Sequence, residues 1–176
     1  MTSESTSARP RHDNARDRRR TVNEVKGAMR DLRVQLSLLN HSVGMRAGLK
    51  DADLDCLDLI SIHAPISPSA LATRAGLHPA TMTGILDRLE FGGWIVRERD
   101  PDDRRAVLLR AVPERNRELF QLYAGMNALM DELSSDYDRE QLELIAAFLQ
   151  RATDAGAQAA EQLAATRPTE TVPPKN

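Results

Sequence analysis

Between Ser67 and Arg110 the chain reads SPSALATRAGLHPATMTGILDRLEFGGWIVRERDPDDRRAVLLR, and the punctuation of this stretch leaves it few ways to fold. Ser67 followed by Pro68 marks a helix start: the hydroxyl caps a free backbone N–H, and proline at the first position lacks an N–H that would go unsatisfied anyway. Gly76 stops that helix, Leu77 packs inward, and His78-Pro79 opens a second helix that runs to about Phe91. The inward residues are Leu71, Ala72 and Ala75 on the first helix, then Met82, Ile85 or Leu86, and Leu89 on the second. Gly92-Gly93 ends the second helix. Alternation over Trp94 to Arg99 predicts a strand with Trp94 and Val96 facing the core, Asp100 to Arg105 a loop, and Ala106 to Arg110 the return strand. Two short helices joined by a turn and followed by a hairpin form, in that order, a winged helix-turn-helix. The expected fold class is therefore mostly α with a small β-hairpin wing.

The flanks are helical. Val22, Val25, Met29, Leu32, Leu36, Leu39 and Val43 alternate three and four apart, which predicts a long helix from Thr21 to about Gly44 with one apolar stripe. Asp51 is the expected N-cap of a helix carrying Leu54, Cys56, Leu57, Leu59, Ile60 and Ile62, apolar almost all round and so buried. Ile66 is placed to form a very short strand. After Pro113 a single helix is expected through Leu119, Leu122, Met126, Leu129 and Leu133. Asp138 with Gln141 resembles a capping box for the last helix, whose stripe is Leu142, Ile145, Leu149, Ala152, Gly156, Ala159 and Leu163. Residues 1–20, polar and arginine-rich, read as a flexible basic arm, and residues 166–176, rich in Pro and Thr, as a disordered tail.

Composition narrows the function classes. Aromatic residues make up 3% of the 176-residue chain, so the core is built from aliphatic side chains. Cys56 is the single cysteine, which excludes an internal disulfide or a cysteine-rich zinc site and fits the cytoplasm. No stretch approaches the ~18 apolar residues of a membrane span. A net charge of −2 argues against indiscriminate coating of nucleic acid. Cys56, with apolar neighbours and Asp55 and Asp58 nearby, reads as an inert core thiol.

In a helix-turn-helix the first helix braces the second against phosphates, and the second presents its N-terminal side chains to base edges in the major groove. The residues of the second helix not claimed by the core are His78, Pro79, Ala80, Thr81, Thr83, Gly84 and Arg88. Thr81 and Thr83 are suited to phosphate or base contacts; either alone reads better as a solvent-facing residue, and together with the hairpin the DNA reading wins. Arg88, nearer the helix end, suits a phosphate. In the wing, Asp100, Asp102 and Asp103 precede Arg104 and Arg105, an arrangement in which carboxylates hold a guanidinium in a fixed direction for the narrow minor groove.

The segment LATRAGLHPATMTGILDRLEFGGWIVRERDPDDRRAVLL resembles the core of MarR-family transcriptional regulators, from the Leu-Ala helix through the DRLE-like helix end to a Gly-Trp turn and a D-x-R wing. The resemblance is specific over Ser67 to Leu109. It implies a homodimer with a helical dimerisation lobe made by residues 21–46 and 112–165, each winged lobe (49–110) engaging half of a palindromic double-stranded DNA operator. It further implies that Arg105 reaches the minor groove, that Asp87 helps position it, and that Asp103 is the wing aspartate. One departure is Arg110-Ala111-Val112-Pro113-Glu114-Arg115-Asn116, where the family usually carries a Leu-Thr-x-x-Gly turn.

Regulators of this family commonly release DNA on binding a small aromatic or phenolic effector between the two lobes, and a ligand-responsive repressor is the expectation here. Residues expected near that junction are His41, Arg46, Asp55, Asp58 and His63. No cofactor is expected, and no enzyme: the chain has no H-E-x-x-H, no Gly-rich phosphate loop and no cysteine pair. Two other readings stay open. A winged domain serving only protein contacts would show an exposed apolar patch, and a metal-binding enzyme would bring His41, His63 and Asp58 together.

Overall fold

A computed structural model describes residues 10–101, 103 and 105–165, and it divides the chain into two compact units, residues 1–54 and 55–176. The architecture is mostly helical with one two-stranded antiparallel sheet, as expected for a winged helix-turn-helix.

The first unit is dominated by α1, Pro10–Ala47. It begins eleven residues before the expected start, so the arm anticipated over residues 1–20 is helical from Pro10. Extending an existing helix is far less costly than nucleating one. Local pairs help: Arg20 lies 3.9 Å from Asp17 and 3.5 Å from Glu24. Most of the apolar stripe is open, with Val22, Val25, Leu32 and Leu36 exposed, whereas Val43 is buried. Gly48 at φ 72 turns the chain out of α1. α2, Asp51–His63, starts with Lys50 O accepting from Leu54 N at 3.0 Å. Asp51 is therefore already inside the helix rather than its cap, and its carboxylate faces His41 Nδ1 at 3.0 Å.

The division between units falls within α2. In the second unit Cys56, Leu57 and Ile60 of α2 are buried, while Ile62 is 71% exposed, contrary to the expected all-round burial. α3 (Pro68–Ala75) is capped by Ser67, whose Oγ accepts from Ala70 N, and ends at Gly76 with φ 64. α4 (Pro79–Phe91) follows, with His78 as its N-cap. Ile85 and Leu86 are both buried, with Met82 and Leu89. Strands β1 (Ile95–Arg99) and β2 (Val107–Ala111) pair in register Ile95 with Ala111 through Arg99 with Val107. Ile66 adds a one-residue bridge, its carbonyl accepting from Leu109 N at 2.8 Å.

Two expectations here need correcting. Trp94 is buried but precedes the strand; Ile95 is the buried strand residue and Val96 is 41% exposed. The cause is Gly93, whose φ of 70 folds Trp94 back over Gly92, so alternation starts one residue later. The single helix expected after Pro113 is two, α5 (Pro113–Leu122) and α6 (Ala124–Ser134), broken at Tyr123 with φ −91 and ψ 0. The tighter bond from Tyr123 N to Phe120 O marks the break. α7 runs from Arg139 to Ala165 behind a complete capping box: Gln141 N donates to Asp138 Oδ1 and Asp138 N to Gln141 Oε1, each at 2.9 Å. No described helix is long and apolar enough to cross a membrane.

Candidate nucleic-acid interface

α4 buries Met82, Ile85, Leu86 and Leu89, which leaves Ala80, Thr81, Gly84 and Arg88 on one strip with His78 and Pro79 at its head. Most of these side chains are small, so the helix backbone can approach a groove floor, and the Arg88 guanidinium lies over Gly84, its Nη1 3.6 Å from where a Cβ there would stand. Thr83 lies on the neighbouring strip, and its Oγ1 donates to Pro79 O at 3.0 Å. Its hydroxyl hydrogen is thus committed to the helix, and what Thr83 offers a ligand is an acceptor. Thr81 is exposed.

Aspartates of the wing bind its backbone. Asp103 Oδ1 accepts from Arg105 N at 2.9 Å, and Asp100 Oδ1 from Asp103 N at 3.4 Å. Asp100 N donates to Ala106 O at 3.1 Å and Ala106 N to Asp103 O at 2.9 Å, closing the loop. Arg105 is exposed, its side chain carried on a fixed backbone. Arg104 and Asp102, also expected in the wing, lie outside the described residues.

Asp87 does something other than the expected positioning of Arg105. Its Oδ1 takes Arg97 Nη2 at 2.6 Å, and Arg97 Nε also lies 3.2 Å from Glu90 Oε2. Arg97 stands on β1 two residues from the buried Ile95, on the side that faces α4. Two carboxylates of the helix therefore clasp one guanidinium of the wing. Across the hairpin Arg110 Nε meets Glu98 Oε2 at 2.9 Å. Behind Trp94, the Arg115 guanidinium stacks 3.9 Å from the indole centroid, and Arg115 pairs with Glu118.

Sequence reasoning passed over Arg97 because it took Val96 as the inward strand residue, which set Arg97 on the opposite face from the one that meets α4. Phe91 was missed as well. It is 96% exposed at the end of α4, two residues after the buried Leu89 and out of step with the apolar spacing.

The residues expected at an effector site fall on both sides of the division of the chain. His41 and Arg46 are exposed in the first unit, His41 paired with Asp51. In the second unit Asp55 is exposed and His63 half-buried. Asp58, half-buried, has its carboxyl pushed above the usual carboxylate range by burial and then by the charge of Asp55. Burial, then Asp58 and Asp55, likewise raise the Tyr123 phenol. An open groove of about 560 Å³ lies behind the hairpin, lined by Ser61, Ala64, Val96, Arg110, Pro113 and Asn116 among others, and none of the five expected effector residues lines it. Among the described residues no group of three or more His, Cys, Asp or Glu side chains is arranged to hold a metal ion.

A helix-turn-helix with its second helix open to one side and a braced wing beside it defines a winged-helix protein of the DNA-reading type. The family model described as MarR family matches residues 49–107. The HTH-type transcriptional regulator YcgE of Bacillus subtilis (strain 168) is 30% identical over 125 residues, covering 71% of this chain and 81% of that protein. The HTH-type transcriptional repressor MdtR of the same organism is 31% identical over 97 residues, covering 55% of this chain and 63% of that one. Among solved structures, a MarR family protein from Bacillus stearothermophilus is similar in fold, with a TM-score of 0.60 at 17% identity, over 78% of this chain and 96% of that one. The chain belongs to the MarR family of transcriptional regulators.

Proposed function

We propose that the protein is a homodimeric repressor that binds a palindromic operator, with α4 in the major groove and the wing in the minor groove, and that a small aromatic or phenolic effector releases it. The observation that carries this reading is the pairing of two exposed features: the small-residue strip of α4 ending in Arg88, and Arg105 on a loop that Asp100 and Asp103 hold in place. In this reading His78, Pro79, Ala80, Thr81, Thr83, Gly84, Arg88, Arg104 and Arg105 meet the DNA. Asp103 supports the wing from within, and Asp87 supports it through Arg97.

Pairing is supported by apolar side chains left open on α6 and α7, including Leu129, Leu133, Ile145, Phe148 and Leu149. A soluble monomer rarely leaves so many together, and two helices of this kind bury one another across a two-fold axis. The repressor sense follows the relative named as a repressor.

The test is fluorescence anisotropy with palindromic promoter fragments. Binding should weaken steeply with salt, and Arg105→Ala should cost about tenfold or more, of the order of 1–3 kcal/mol, without altering the thermal melt. Unchanged affinity in that variant sinks the wing assignment.

A further inference from the structure

Because α1 is one continuous helix from Pro10 to Ala47, residues far apart in the N-terminal segment fall into rows. Arg16, Arg19, Asn23, Lys26, Arg30 and Arg33 are spaced 3, 4, 3, 4 and 3 apart, so they share one face. All six are exposed. At about 1.5 Å per residue the row is roughly 25 Å long. Residues 16–33 carry seven basic side chains against three acidic ones. The acids sit elsewhere on the helix, where Asp17 and Glu24 are engaged with Arg20. Lys26, Arg30 and Arg33 have no acid three or four residues away on either side, and they crowd one another at those spacings. Like charges so placed destabilise a helix, and an external polyanion would relieve the repulsion.

The winged segment makes such a row useful. Ser67 to Arg110 holds seven arginines against six acids, and two of those arginines, Arg97 and Arg110, are already tied to carboxylates. That unit brings little net positive charge to a duplex with one phosphate per ~1.7 Å of axis.

We infer that the basic row of α1, from Arg16 to Arg33, is an accessory site for the phosphate backbone of double-stranded DNA. It supplies sequence-independent attraction, and the α4 strip and wing supply discrimination. The inference rests on the proposed DNA binding only for the identity of the polyanion.

The experiment uses the full chain with Lys26→Gln, Arg30→Gln and Arg33→Gln combined, titrated against a palindromic promoter duplex and a random-sequence duplex over a potassium chloride series. The variant should lose affinity for both duplexes by the same factor, and the slope of log K against log salt should shrink by about 0.9 for each phosphate contact removed. Self-association should be unchanged, the melting temperature equal or higher, and the charge-keeping triple Lys26→Arg, Arg30→Lys, Arg33→Lys should restore the slope. An unchanged slope overturns the inference. So does loss of self-association, which would make the row a contact with a second copy, or loss of binding to anionic phospholipid vesicles with DNA binding intact. Arg105→Ala, run alongside, separates the two readings: if it leaves promoter binding intact while the triple variant flattens the slope, the wing assignment fails and the row stands.

Discussion

Asp58 is a carboxyl group whose charge is poorly served by its surroundings. Burial first, and the neighbouring Asp55 second, favour its protonated form in the folded protein. For an acid raised in this way the folded state binds the proton more readily than the unfolded chain, so the stabilisation is complete below the ordinary carboxylate pKa and is lost as pH rises through the folded value. Asp58→Asn removes the charge at constant shape. It should raise the melting temperature at neutral pH, and the gain should shrink as pH falls through the carboxylate range. A gain independent of pH in thermal melts across that range would refute the account. Nothing in the sequence singled out this residue from Asp55, since which of two helix acids is turned inward depends on the helices packed around α2.

At the level of elements, the helix-turn-helix was readable because its boundaries are set by short-range chemistry. Ser67 caps with its own hydroxyl, Gly76 takes a positive φ, and Asp138 and Gln141 satisfy each other three residues apart. Such signals act within one turn and need no tertiary context. The break at Tyr123 was not readable, because Leu119, Leu122, Met126 and Leu129 keep helical spacing straight through it. Nor was the grip of Asp87 and Glu90 on Arg97, which joins two elements across the Gly92-Gly93 turn. That grip carries a prediction of its own. Arg97→Ala should cost only about 0–1 kcal/mol of stability, as expected for partly exposed ion pairs, yet weaken operator binding by uncoupling the wing from α4. A double-mutant cycle between Arg97→Ala and Asp87→Ala, read by operator affinity, should show strong non-additivity. Simple additivity would mean that the clasp is ornamental for binding.

On the scale of the whole molecule, long stretches of apolar surface remain on α1, α6 and α7. The sequence showed these stripes clearly, since each repeats every three or four residues, but a stripe does not say whether its partner is in the same chain. The exposure of Ile145 and Leu149, at 39% and 44%, supports a second copy as the partner. Ile145→Asp with Leu149→Asp should leave the winged unit folded, shift sedimentation from dimer to monomer, and cost more operator affinity than either α4 or wing substitution alone. A variant that still sediments as a dimer would move the interface elsewhere.

The clasp between α4 and the hairpin also bears on how such a regulator can acquire new operators. Arg97, held by Asp87 and Glu90, ties the wing to α4, and Arg110 with Glu98 ties the two strands of the wing together. A site that gains one base pair between its major-groove and minor-groove contacts turns them by about 34° relative to each other. In the proposed mode of binding, a wing tied to α4 resists that change of phase. If the protein binds its operator in the proposed way, new operators are reached more readily by changing letters at constant spacing than by insertions within a half-site.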